Sequence, residues 1–139
     1  MPAPVLQDFT GDWTLSREIE DFAQDRRGRM TGTARFMPER GGLRCREAGT
    51  LAFDGLPPMA TERETLWQAS DDGIEVAFAD GRPFHSFRPG APAPAARHDC
   101  APDLYLVTYD FARWPDWQAE WRVTGPRKDY RMTTRYTRA

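Results

Sequence analysis

The chain has 139 residues and 15.9 kDa, about one domain's worth, so a single folded unit spanning residues 1–139 is expected. Hydrophobic residues make up 40% and aromatic residues 12%, enough for a core without disulfides or metal, which excludes intrinsic disorder. Nineteen Lys and Arg against 21 Asp and Glu give a net charge of -2, so charge alone marks neither nucleic acid nor an anionic membrane as a partner.

In chain order, residues 4–9 suit a short helix ended by Thr10-Gly11. Ten strand windows follow, rich in Val, Thr, Trp, Tyr and Phe: 11–19, 29–37, 43–53, 60–69, 73–79, 83–88, 95–100, 104–112, 116–124 and 128–138. Between them lie turn residues such as Arg40-Gly41-Gly42, Asp72-Gly73, Asp80-Gly81 and Gly125-Pro126, which favour hairpins and antiparallel neighbours. The run 89–94, Pro-Gly-Ala-Pro-Ala-Pro, cannot supply a ladder of backbone donors and reads as a mobile loop beside an opening. The expected class is all-β, an antiparallel up-and-down barrel of eight to ten strands with at most a short N-terminal helix.

No stretch approaches the roughly 18 apolar residues of a membrane span, and the start lacks the basic and apolar regions of an export signal, so a cytoplasmic protein without a membrane partner is expected. Cys45 and Cys100 fit no paired spacing and are expected to be free thiols.

Period-two alternation sorts each strand into two faces. Arg17 shares the apolar face of Trp13, Leu15 and Ile19; Glu47 joins Cys45, Leu51 and Phe53; Arg63 and Thr65 accompany Trp67. Later strands put Tyr105, Val107 and Tyr109 together, then Trp117, Trp121 and Val123, then Tyr130, Met132, Thr134 and Tyr136. Charges on an apolar face must pair, reach water or meet a ligand, because leaving them buried and unpaired costs several kcal/mol each. Three arrangements satisfy this: an internal Arg-Glu-Arg network, strand ends where long Arg chains snorkel to solvent, or a wet pocket inside the barrel.

The opening Phe9-Thr10-Gly11-Asp12-Trp13 resembles the Gly-x-Trp start of lipocalin-like, or calycin, barrels. That resemblance implies a Trp packed beneath a basic residue of the last strand, here Arg135 or Arg138. Three further segments, Phe78-Ala79-Asp80-Gly81-Arg82-Pro83-Phe84-His85, 96–105 and 121–130, are similar to motifs of an uncharacterised bacterial family of unknown function. The similarity implies the same barrel, assigns no activity, and draws attention to His85, His98 and Lys128.

The expected function is binding of a small, anionic and partly apolar molecule inside the barrel. Arg17, Arg63 and Tyr130 would hold the charged end, a carboxylate suiting their donors, with Glu47 as the competing counter-ion. Trp67, Tyr105, Tyr109, Trp121 and Met132 would line the apolar part, with His98 beside them. A second reading is an enzyme using His98 or His85 as acid/base on a similarly bound molecule. A third is an interaction module with a filled interior and an exposed aromatic patch around Trp114 and Trp117. A His85/His98/Cys100 metal site lacks a supporting cluster, so neither metal nor cofactor is expected; a homodimer is left open.

Overall fold

The computed structural model describes residues 2–139; Met1, counted in the expected unit, lies outside the described residues. A 3-10 turn over Leu6–Phe9 precedes β1 (Gly11–Asp21), β2 (Arg26–Glu39), β3 (Gly42–Phe53), β4 (Met59–Ser70) and β5 (Gly73–Phe78). There follow β6 (Pro83–Phe87), β7 (Ala95–Cys100), β8 (Asp103–Asp110), β9 (Trp117–Thr124) and β10 (Asp129–Arg138). These elements coincide with the ten expected windows, and β2 runs longer at both ends. Arg40 and Gly41 both take positive φ, 49° and 81°, which turns the chain tightly from β2 into β3.

All strands belong to one antiparallel sheet in the order β6-β5-β4-β3-β2-β1-β10-β9-β8-β7. Consecutive hairpins account for every ladder except one, in which β1 pairs with β10 from Trp13↔Arg138 to Asp21↔Tyr130. The sheet thus rolls into a nearly closed barrel whose cut falls in the middle of the sequence, where β6 and β7 adjoin without a backbone ladder. Register carries the alternation through the wall: Trp13, Leu15 and Ile19 are buried on β1, and Trp117, Ala119, Trp121 and Val123 on β9.

One end is shut by aromatic packing. Phe9, from the 3-10 turn, lies 4.9 Å from Trp114, 5.3 Å from Trp117 and 5.4 Å from Trp67, ring centre to ring centre. The Trp13 indole donates to the Phe9 carbonyl at 2.8 Å. Arg138 lies over the Trp13 ring at 3.8 Å and donates to the carbonyls of Thr10 (2.9 Å) and Asp8 (2.6 Å), which pins the turn across the barrel end. Of the two arginines expected over Trp13, Arg138 is the one; Arg135 faces outward and donates to Gln118 at 3.3 Å.

Two expectations are corrected here. The 89–94 loop leaves β6 at Phe87, whose ring packs on Trp67 (5.8 Å) and Phe111 (6.1 Å), so it belongs to the shut end and not to an opening. Its Pro94 is buried and accepts the Tyr109 N–H at 2.8 Å, backbone satisfaction the sequence does not announce. An exposed patch at Trp114 and Trp117 is absent: Trp117 is 4% exposed and Trp114 is half-buried against the core, because Phe9 folds in over both. The opposite end is looser, and Phe22, Leu56 and Met59 are exposed in its loops and strand starts.

Candidate ligand-binding cavity

Three strands bring a charged triad into the interior. The Arg17 guanidinium (β1) donates to Glu47 (β3) at 2.7 Å and to the Thr134 hydroxyl (β10) at 2.7 Å, and the Tyr136 hydroxyl (β10) donates to the other Glu47 oxygen at 2.5 Å. The pair is nearly sealed, with side chains 11% and 13% exposed. Burial works against both charges. The neighbouring Glu47 carboxylate and Tyr136 outweigh it for Arg17, whose pKa rises, and Arg17 and Tyr136 hold Glu47 below its ordinary value. Both Glu47 oxygens are therefore occupied.

Arg63 on β4 is the cross-strand neighbour of Glu47, yet it takes no share of that carboxylate. Among the described residues it has no ion-pair partner and donates no hydrogen bond; its guanidinium stands 5.3 Å from the centre of the Phe84 ring, and the residue is exposed to solvent. Of the two arginines that line the cavity, one is neutralised and one is free.

His85 and Phe84 enter the same space through an irregularity. The β5–β6 register runs Ile74↔Phe87, Glu75↔Ser86 and Val76↔His85, then skips to Ala77↔Pro83, which leaves Phe84 as an extra residue. Such a bulge re-aims a side chain, so two successive residues, Phe84 and His85, both face the core. His85 Nε2 lies 2.7 Å from the Tyr109 hydroxyl, and its Nδ1 is buried without a partner. Burial, with the Arg63 charge and His98 adding to it, pushes the His85 pKa down to about 3, so the ring is neutral near pH 7.

Between these groups lies a cavity of about 40 Å³, room for about three waters or a small head group. Of the residues expected at the site, Arg17, Glu47, Arg63, Trp67, His85, Tyr109 and Trp121 line it. The other four do not. His98 meets Phe84 edge-on at 5.1 Å, and Phe84 in turn stacks on Trp121 (5.1 Å, 9°). Tyr105 is engaged at the rim, accepting from Lys128 at 3.0 Å, while Lys128 also meets Asp103 at 3.1 Å; these two partners hold its ammonium above the ordinary range. Tyr130 and Met132 share the inward face but are half-buried nearer the open end. Sequence reasoning passed over Trp117 and Tyr136 as site residues. Both line the cavity, their rings stacked at 3.8 Å and 8°.

The two histidines stand on β6 and β7, which adjoin without a backbone ladder, and both present edges to Phe84, at 4.6 and 5.1 Å. Cys100 is exposed, and among the described residues no three His, Cys, Asp or Glu side chains gather as metal ligands. Both cysteines are free; burial, followed by the Glu47 charge, pushes the Cys45 thiol well up and leaves it a poor nucleophile. Among the described residues no helix is long and apolar enough to cross a membrane.

Ten antiparallel strands around a small polar-lined interior, with a Trp-Arg clamp at the shut end, define a calycin-like barrel. A family model matches residues 9–138, and the chain belongs to that family, the family of unknown function DUF6314. No curated protein matches it. Among solved structures it is similar to the S-type phycobiliprotein lyase from Guillardia theta, with a TM-score of 0.67 over 96% of this chain and 90% of that one, at 7% identity. At that identity the likeness is one of fold.

Proposed function

We propose that the barrel binds a small anionic molecule, a carboxylate, with its charged end at Arg63 and its apolar part against Trp67, Phe84 and Trp121. The observation that carries this reading is the free Arg63 guanidinium in a cavity whose other arginine is already neutralised by Glu47. A buried triad that satisfies itself fixes the wall, and the leftover cation supplies the attraction. The phycobiliprotein lyase of similar fold adds a precedent for a barrel of this kind that acts on a partner molecule. Tyr105, Tyr130, Met132 and His98 belong to this reading as the wall toward the open end, beyond the Phe84 ring. The cavity's size limits the deeply held part to a few heavy atoms.

The acid/base reading loses support at His85. An imidazole whose pKa lies near 3 binds a proton too weakly to serve as a general base of matched strength near neutrality. The test is a thermal-shift and calorimetric titration of the purified protein with acetate, propionate and benzoate against their uncharged amides. Carboxylates are expected to stabilise the wild-type protein and not R63Q, while amides do nothing to either. Equal responses of wild type and R63Q refute the assignment.

A further inference from the structure

Most buried polar groups of the barrel find partners, which makes the exceptions informative. The Trp13 N–H reaches the Phe9 carbonyl at 2.8 Å and the Trp67 N–H reaches the Thr65 hydroxyl at 3.0 Å. Among the described residues, two buried ring nitrogens have no partner: Trp117 Nε1 and His85 Nδ1. Both side chains line the Arg63 cavity.

The hydrogen-bonding sense of each nitrogen follows from its surroundings. Indole Nε1 can only donate. His85 is settled through Tyr109, whose hydroxyl has one hydrogen-bond partner among the described residues, His85 Nε2 at 2.7 Å. Burial raises the Tyr109 pKa, so the hydroxyl keeps its proton and must place it somewhere. If His85 carried its proton on Nε2 and donated it to Tyr109, the phenolic proton would be left buried and unbonded. Donation from Tyr109 to Nε2 satisfies it and assigns the imidazole proton to Nδ1. Near neutrality His85 therefore carries its unpartnered N–H on Nδ1. On the acceptor side, both Glu47 oxygens are taken and the Thr65 hydroxyl oxygen already accepts from Trp67. What the wall leaves unspent is an excess of donors.

We infer that Trp117 Nε1–H and His85 Nδ1–H are two neutral donors that, with Arg63, make the cavity selective for an acceptor-only oxyanion, a carboxylate, against an amide, amine or alcohol of the same shape. This rests on the reading of Arg63 as the anion's partner and names the groups that read the oxygens. An amide would turn its own N–H toward donors, leaving two sets of donors facing each other, and an amine would add a charge of the same sign as Arg63.

The test uses propionate and propionamide with the intact protein. Addition of propionate is expected to move the Trp117 indole N–H resonance, identified by its loss in W117F. Nitrogen shifts of His85 at neutral pH are expected to report the proton on Nδ1 before any ligand is added. W117F, which keeps an aromatic ring against Tyr136 and removes the N–H together with part of the indole, is expected to weaken propionate about tenfold, the effect of one hydrogen bond to a charged acceptor. H85Q, which retains a partner for Tyr109 and lacks the Nδ1 donor, is expected to lose a similar factor. Propionate affinity unchanged in both variants, or a His85 proton on Nε2, overturns this inference and leaves the role of Arg63 standing. Failure of the wild-type protein to bind propionate at all overturns both.

Discussion

Arg17 and Arg63 both line the cavity around Glu47 and meet opposite fates: Arg17 is nearly sealed in an ion pair with it, and Arg63, the cross-strand neighbour of Glu47, stays exposed and unpaired. Arg17 and Tyr136 bond one carboxylate oxygen each, while Arg63 makes no ion pair with it and leans over Phe84 toward water. His85 lines the same cavity and takes up a proton only at much lower pH than an ordinary surface histidine. Its pKa falls from 6.5 to about 3, chiefly through burial. Unfolding restores proton binding below about pH 6.5, so the stability it contributes is complete above that pH and is lost as the pH falls toward 3. The slope reaches at most about 1.4 kcal/mol per pH unit for one proton. Glu47, held below its ordinary 4.5, adds its own loss only at lower pH. Urea unfolding at about pH 7, 6 and 5 should therefore show wild-type stability dropping where that of H85Q stays flat; parallel profiles would remove His85 as the cause.

At the scale of the strands, closure depends on a pair of glycines. Gly32 on β2 and Gly49 on β3 face each other in register, and a Cβ on either would collide with backbone of the opposite strand, the Ala48 carbonyl or the Thr31 carbonyl. The two strands approach there as only unsubstituted backbone can, which lets the sheet coil sharply. G32A or G49A is expected to cost about 1–3 kcal/mol in urea unfolding, without change at the shut end. Alternation separates Arg17, Glu47 and Arg63 as charges among apolar neighbours; all three line the cavity, Arg17 and Glu47 nearly sealed and Arg63 still exposed to solvent. Alternation gives a face and not a depth along the barrel, so Tyr105, Tyr130 and Met132 have the expected face but stand at another level. It also fails at the bulge, where adjacent Phe84 and His85 share a side; Pro83, lacking an N–H for the ladder, was the available hint. Trp117 was placed inward by the same rule, but its stacking on Tyr136 and its unpartnered N–H arise from strands brought together only by folding.

The whole molecule is a ring with its break between β6 and β7, while the ladder of β1 with β10 joins residues far apart in the chain, 117 positions at Arg17 and Thr134. The Gly-x-Trp start and the basic last strand announced that distant pairing, since Trp13 and Arg138 are ladder partners as well as a cation-ring pair. The unladdered break was not announced, because hairpin turns describe neighbours that pair and are silent on neighbours that do not. Around the ring, β1 to β6 form one run of hairpins and β7 to β10 another; backbone hydrogen bonding between the runs is concentrated in the β1–β10 ladder, and the covalent link is the 88–94 segment. A single cut at residues 90–93 would therefore sever no strand pair. The nicked protein is expected to stay assembled in size-exclusion chromatography, and the two pieces, made separately, should recombine into a working whole, each supplying what the other lacks: one brings Arg17, Glu47, Arg63 and His85, the other Tyr109, Trp117 and Tyr136. The barrel is in this sense a natural split protein, its binding chamber a reporter of whether two halves have met.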